Sequence, residues 1–308
     1  MKPIIVFGSI NLDLVTKTPR LPMAGETLQG SEFFIAAGGK GANQAVAAAR
    51  LGATTHLVGR LGDDQFGRQL LCGLRAAGVE TDDILVDGGA TSGVAVITVD
   101  DAGENNIIIV AGVNGRVCQQ DVERLGPLLP GAAALLLQFE IGMPAVLAAA
   151  QAAQKAGIRV ILDPAPAQTD IPAELYSLVD IITPNEVEAS QLVGFAVDGE
   201  ATARQAAVEL RRRGVRAAIV KLGDRGVVCA TSTESFFVPA FSVVAVDTVA
   251  AGDAFNGGLA VALAEGYSLR EAVVWGAAAG ALTATKAGAQ PALPDRATLE
   301  AFLKMQVL

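Results

Sequence analysis

The chain has 308 residues with 23 basic and 32 acidic side chains, and its formal charge of −9 excludes a nucleic-acid binder, which needs a basic face. Apolar residues at 51% and charged residues at 18% exclude a disordered chain, and the length suits a single α/β domain over residues 1–308. Aromatics supply only 5%, so the core is built from Ala, Val, Leu and Ile.

Ile4–Gly8 reads as a buried strand, with the polar Asn11 and Asp13 after it. No small-residue cleavage site follows this apolar run, so no secretory signal is expected. Thr16–Ala37 has no helical period and carries Pro19, Pro22 and Gly25. The glycine-rich run Ala36–Ala45 then opens a helix over Gly41–Leu51, and Thr55–Gly59 is a second strand. His56, the single histidine, reads as structural, which removes most zinc and Ser-His-Asp chemistries. Ser92–Val110 contains two β-rich runs, Gly93–Val99 and Asn106–Val110, around the turn-like Asp100–Glu104. With Thr16–Ala37 they predict a small antiparallel sheet outside the main one, a lid fed by insertions at about 14–37 and 92–112. Val94, Val96 and Thr98 alternate with Ala95, Ile97 and Val99, so both lid faces carry apolar residues and a homodimer joined through the lids is expected.

From about Leu135 short apolar runs alternate with Ala-rich helical segments. Ala134–Gln138, Val160–Asp163, Asp180–Thr183 and Ala218–Leu222 read as strands, and Met143–Gly157, Glu186–Gly194 and Glu200–Gly214 as helices. That rhythm predicts a mainly parallel sheet covered on both faces. Phe241–Val246 looks like a further strand, and Ala272–Thr285 is an apolar helix too short to span a bilayer. Its Gly276 and Gly280 are read as close helix packing. Cys72, Cys118 and Cys229 are not at metal spacing and are expected to be reduced thiols of a cytoplasmic protein.

The chemistry gathers in a few places. In Asp247–Gly258 the small residues Ala250, Ala251 and Gly252 precede Asp253 at a helix start, where backbone N–H groups approach an anion and the dipole favours negative charge. Asp253 there is sited to accept a proton from an attacking alcohol; the bland alternative is a first-turn acid that stabilises the dipole. Gly38-Gly39-Lys40-Gly41-Ala42-Asn43 is not a Walker loop, because position 35 is Ile and no Gly stands five residues before Gly39. Asn43 can donate and accept to a hydroxyl, although for this segment in isolation a plain glycine-rich turn before a helix is the better reading. Asn11, Asp13, Glu140, Asp163 and Asn185 follow strands, where open α/β sheets bind ligands. Lys221-Leu222-Gly223-Asp224-Arg225-Gly226 is a turn between two strands that suits either a phosphate or a simple hairpin.

These residues resemble the ribokinase-like carbohydrate kinases over almost the whole chain, from Gly8–Asp13 through Gly38–Asn43 and Asn185–Glu188 to Asp247–Asp253 and Gly288–Pro291. The resemblance implies a three-layer sandwich with a β-sheet lid, and ATP-dependent phosphorylation of the 5-hydroxyl of D-ribose. It implies that Asn11, Asp13, Gly39, Lys40, Asn43 and Glu140 bind sugar hydroxyls and that Asp253 is the base. Ala250, Ala251 and Gly252 would form the anion hole, and Asn185 with Lys221, Leu222, Gly223, Asp224, Arg225 and Gly226 would face ATP. Glu188 would organise magnesium (Mg2+) through water. Asp247, Val249, Thr283, Lys286 and Gly288 would enclose potassium (K+), with Ala292 standing where members often supply a hydroxyl. Most of the family has Gly where this chain has Ala250, a departure that costs the resemblance little because the Ala form is common among its nearest members. A kinase for deoxyribose, another pentose or ketose, or a nucleoside is the alternative. A non-catalytic sugar-binding relative is disfavoured by Asp253 and its glycine, and a dinucleotide-dependent dehydrogenase by the lack of G-x-G-x-x-G after the first strand.

Overall fold

The computed structural model describes residues 1–306. Nine strands form one sheet in the spatial order Ser235–Pro239, Gly226–Ala230, Ala217–Lys221, Ile181–Ile182, Arg159–Leu162, Ala134–Leu137, Ile4–Phe7, Thr55–Gly62 and Ile84–Asp87. Neighbours pair in parallel except at one edge, where Gly226–Ala230 runs antiparallel to both Ala217–Lys221 and Ser235–Pro239.

Side chains alternate across this sheet because successive strand residues point to opposite faces. Ile4, Val6, Leu136, Ile161 and Ile219 enter one buried cluster with the helices Lys40–Arg50, Ala251–Ala264 and Leu269–Ala284. Ile5, Phe7, Leu135, Leu137 and Val220 enter the other with Met143–Lys155, Glu186–Val193 and Glu200–Arg212. The result is the expected ribokinase-like sandwich, helices covering both faces of a mainly parallel sheet. Gly276 and Gly280 do serve helix packing: a Cβ on either would lie 2.8–3.0 Å from the carbonyl oxygens of Phe255 and Ala251. No helix among the described residues is long and apolar enough to cross a membrane.

A second sheet has the order Glu32–Gly38, Asn11–Thr18, Gly93–Asp100, Asn105–Val110. Two expectations change here. Asn11 and Asp13, which follow the strand Ile4–Phe7, already lie on a strand of this sheet, so the sheet begins before the expected residue 14. The sheet is also mixed: Asn11–Thr18 pairs with Gly93–Asp100 in parallel. A parallel pair needs a long crossover, and residues 39–92, which build part of the main sheet, supply it. Phe241–Val246 is also not a strand. The ladder ends at Gly226–Pro239, and the segment beyond it lines a cavity instead.

Candidate active site

The helix Ala251–Ala264 starts at the carboxyl edge of the main sheet with no side-chain cap on its first N–H groups. Ala251 N–H donates to Thr248 O at 3.2 Å, and the first full helical bond is Ala254 N–H to Ala250 O at 2.8 Å. The amides of Gly252 and Asp253 lie between them at the open end, where a helix favours an anion. Ala250 sits at φ 60° and ψ 5°, and among the described residues no other non-glycine residue has a positive φ. Left-handed backbone costs an L-residue about 1–2 kcal/mol. That cost is borne at the turn that opens the helix Ala251–Ala264.

Asp253 is buried, with Oδ1 accepting from Gln44 Nε2 at 3.1 Å and Oδ2 from Asn43 Nδ2 at 3.0 Å. Burial pushes its carboxyl up to about 6; Lys40 and these two amides oppose the rise, and the Asp163 charge adds to it. Gln44 Nε2 also donates to Asp163 Oδ2 at 3.1 Å, while Gln44 Oε1 accepts from Gln138 Nε2 at 2.7 Å. Asp163 Oδ1 in turn accepts from Lys221 Nζ at 3.1 Å. Among the described residues Asn43 Oδ1 is buried without a partner, which leaves a free acceptor beside the carboxylate.

On one side of Asp253 stand the residues expected to hold a sugar. Glu140 Oε2 accepts from Ser9 Oγ at 2.5 Å, Lys40 N at 3.0 Å and Asn11 Nδ2 at 3.3 Å. Asn11 Oδ1 accepts from Asn114 Nδ2 at 2.7 Å. The Asp13 carboxyl is pushed up to about 6 by burial and by the charges of Glu140 and Asp253. Gly39 caps the helix Lys40–Arg50 at φ 88°, and a Cβ there would lie 2.6 Å from Asn11 N, so only glycine allows this approach. The Lys40 ammonium opposes its own burial cost through the fields of Asp253, Asp163, Glu140 and Glu188, which raise its pKa.

On the other side opens a cavity of about 580 Å³. Its polar end carries Lys40, Asp163, Asn185, Glu188, Lys221 and Asp253, and its apolar end Val227, Phe241, Val243, Ala277, Ala281 and Ala284. Asn185 and Glu188 form a capping box, Glu188 Oε2 accepting from Asn185 N at 2.8 Å. Burial and the Asp163 charge raise the Glu188 carboxyl, with Lys221 opposing. Gly223, Asp224 and Gly226 line the cavity, but Leu222 is buried in the core and Arg225 turns away to pair with Glu186.

The residues expected around a monovalent cation do come together. Asp247 Oδ1 accepts from Val249 N at 3.0 Å and Oδ2 from Gly288 N at 2.8 Å, tying the turn before the helix to the loop after Leu269–Ala284. Thr283 is buried, its hydroxyl donating to Ala279 O at 2.8 Å and its carbonyl accepting from Lys286 N at 3.2 Å, so both oxygens keep a lone pair. Among the described residues Lys286 makes no ion pair with Asp247.

A family model described as pfkB family carbohydrate kinase matches residues 1–296. The chain belongs to that family. It is 41% identical to a ribokinase of Haemophilus influenzae over 98% of this chain and 99% of the relative. It is 35% identical to a deoxyribokinase of Salmonella typhi over 98% of this chain and 99% of the relative. A solved structure of Arabidopsis thaliana ribokinase complexed with ribose and ATP superposes with a TM-score of 0.91 at 36% identity, covering 98% of this chain and 99% of that one.

In this carbohydrate kinase the sequence left several side chains without a role. Gln44 bridges Asp253 and Asp163, and Gln138 holds Gln44 from the neighbouring strand. Asn114 fixes Asn11 and also bonds both backbone groups of Ile10. Asn256 accepts from Thr183 Oγ1 at 2.8 Å, pinning the helix Ala251–Ala264 to the sheet. Only Gln44 carried a signal, its place beside Asn43 in the glycine-rich run.

Proposed function

We propose that the protein transfers the γ-phosphoryl group of ATP to the 5-hydroxyl of D-ribose, giving D-ribose 5-phosphate. The observation that carries this reading is Asp253, a buried carboxylate at an open helix end, with hydroxyl-binding side chains on one side and a nucleotide-sized cavity on the other. The helix end suits the charge that spreads over the transferring group, for which positioning and charge stabilisation are the main sources of rate. The Gly252 and Asp253 amides supply the donors, because Ala251 N–H is engaged with Thr248 O. Asp253 accepts the hydroxyl proton as the bond to phosphorus develops, its raised pKa bringing it nearer the working pH. Asn11, Asp13, Asn43 and Glu140 orient the sugar, and the small sheet that carries Asn11 and Asp13 closes over it as a lid to exclude water. Asn185 and the turn around Gly223–Gly226 receive the nucleotide, its base in the apolar end. Magnesium, when bound with ATP, neutralises phosphate charge, and Glu188 fits a water-mediated role because each of its oxygens keeps a lone pair beside its capping bond.

The 35% identity to a deoxyribokinase supports a second reading, phosphorylation of deoxyribose. A coupled ADP-release assay across ribose, deoxyribose, fructose, tagatose and nucleosides separates the two. Ribose is expected to give the highest kcat/KM, and a preference for another sugar would overturn the assignment.

Potassium is expected to raise turnover several-fold over sodium at fixed ionic strength with saturating ribose and Mg-ATP. A cation bound by carbonyls of Val249, Thr283, Lys286 and Gly288 and by Asp247 would brace the turn that presents Gly252. Asp247→Ala should remove the response. The same rate in every salt would leave Asp247 a structural cap.

We also propose a homodimer joined through the small sheets. The outer strand Asn105–Val110 is exposed along its whole length, and Phe33 and Ile108 are 60% and 65% exposed on one face. A second copy laid on these strands would cover both the edge and the apolar face. Sedimentation at micromolar concentration should show the dimer; monomer alone would refute it.

A further inference from the structure

We infer that Lys221 is a catalytic residue whose ammonium contacts the transferring phosphoryl group, and that Asp163 is the carboxylate that positions it. The inference rests on the kinase reading above and concerns how the site stabilises charge. Lys221 ends the strand Ala217–Lys221 and reaches across the short strand Ile181–Ile182 to Asp163, with side-chain exposures of 14% and 3%. Its Nζ lies 3.3 Å from where a Cβ on Gly252 would stand, so the ammonium sits at the first turn of the helix Ala251–Ala264. A cation at the positive end of a helix is electrostatically out of place on its own account. An incoming phosphate resolves the conflict, since it would accept from both the ammonium and the helix amides.

The donor count agrees. An ammonium has three N–H donors, and among the described residues Lys221 Nζ uses one of them, on Asp163 Oδ1. The Phe255 ring flanks it at 6.0 Å, and the remaining donors face the cavity that Lys221 lines. Asp163 does more than neutralise the lysine. Its second oxygen accepts from Gln44 Nε2, the amide that also bonds Asp253. One frame therefore holds the ammonium on the phosphate side and the base on the sugar side. In the transfer the sugar oxygen bonds to the γ-phosphorus, its proton goes to Asp253, and the bond to the β-phosphate oxygen breaks with its electron pair leaving on ADP. Lys221 takes no proton; it stabilises the charge on the group in transit.

The alternative is an ion pair that only neutralises a buried carboxylate. Lys221→Met removes the charge and keeps the length. It is expected to lower kcat about 100-fold, as loss of one transition-state donor does elsewhere. ADP affinity should stay within about threefold, while the tighter binding of ADP with aluminium fluoride and ribose, a mimic of the transferring group, is lost. Lys221→Arg should recover at least about tenfold of the rate, and the parent fold is checked by thermal melting. The double variant Asp163→Asn, Lys221→Met decides the matter even if the single variant folds poorly, because no buried charge is left unpaired. It should fold and remain about 100-fold slow. Recovery of parental kcat in the double variant, or a Lys221→Met enzyme within about threefold of the parent, would overturn the inference. A parent that releases no ADP with any sugar would instead refute the proposed function, so the two failures are told apart.

Discussion

Asp253→Asn is expected to slow turnover by about 10²–10⁴-fold, the usual yield of a positioned general base. The variant should fold and bind both substrates, and the geometry says why. Both partners of the carboxylate donate to it, Gln44 Nε2 on one oxygen and Asn43 Nδ2 on the other. An asparagine offers one oxygen and one amide, so one partner must reverse. Gln44 is held by Gln138 and Asp163 and cannot turn without breaking two bonds. Asn43 can, because its Oδ1 has no partner among the described residues, and after the flip its Nδ2 faces the sugar as a donor in place of that acceptor. The new side chain therefore finds a full set of bonds at the price of one amide flip. The carboxylate it replaces is itself costly: burial holds it at about 6 against an ordinary 3.8, so at pH 7 the folded state binds its charged form poorly. That difference corresponds to a destabilisation of order 3 kcal/mol. Asp253→Asn should melt higher than the parent at pH 7 while losing nearly all ADP release. A variant of near-parental turnover would show that the proton goes elsewhere.

The residues that could be read from the sequence are those whose chemistry shows over a few positions. Ala134–Leu137 and Ala217–Lys221 are apolar runs between helical segments, and buried parallel strands must look so. The glycine-rich run and the segment before Asp253 announce themselves because a backbone that approaches a ligand excludes side chains. Phe241–Val246 was legible only as β-propensity, which says that a segment fits a pleated surface and not that a neighbouring strand exists. Asn11–Thr18 gave the opposite error, since its polar residues hid a strand whose inner face carries the proposed sugar contacts. The frame around Asp253 could not be read at all. Gln44 meets Asp163 across 119 positions and Asp253 across 209, and Lys221 meets Asp163 across 58. Each is an ordinary polar residue in its own segment, and only the sheet order brings the strand ends together.

Two of these carboxyls set a pH dependence. Asp13 and Asp253 are both pushed up to about 6, chiefly by burial, and in the proposed reaction both act in the ionised form, Asp13 accepting from a sugar hydroxyl and Asp253 taking the proton. The acid limb of kcat/KM, which reports the free enzyme, should therefore lie near pH 6. With one controlling group the rate falls about 100-fold between pH 7 and pH 4, and with two it falls more steeply still. Asp13→Asn should weaken sugar binding and reduce the limit of the slope from two to one. Stability runs the other way. A carboxyl with a raised folded pKa binds its proton more tightly when folded, so these two groups favour folding as pH falls from about 6 towards 4. Glu26 and Asp87, each held down at about 2, and Asp64 and Asp121, also lowered, act in a different window. Their stabilisation is present above the ordinary carboxylate range and is lost only as pH drops through their folded values. Melting temperature should thus hold or rise over the interval in which activity disappears, then fall below pH 4. Parallel loss of activity and melting temperature from pH 7 downward would mean that acid unfolds the enzyme. An acid limb near pH 4 would mean that water reaches both carboxylates in the free enzyme and that the site is drier only once sugar is bound.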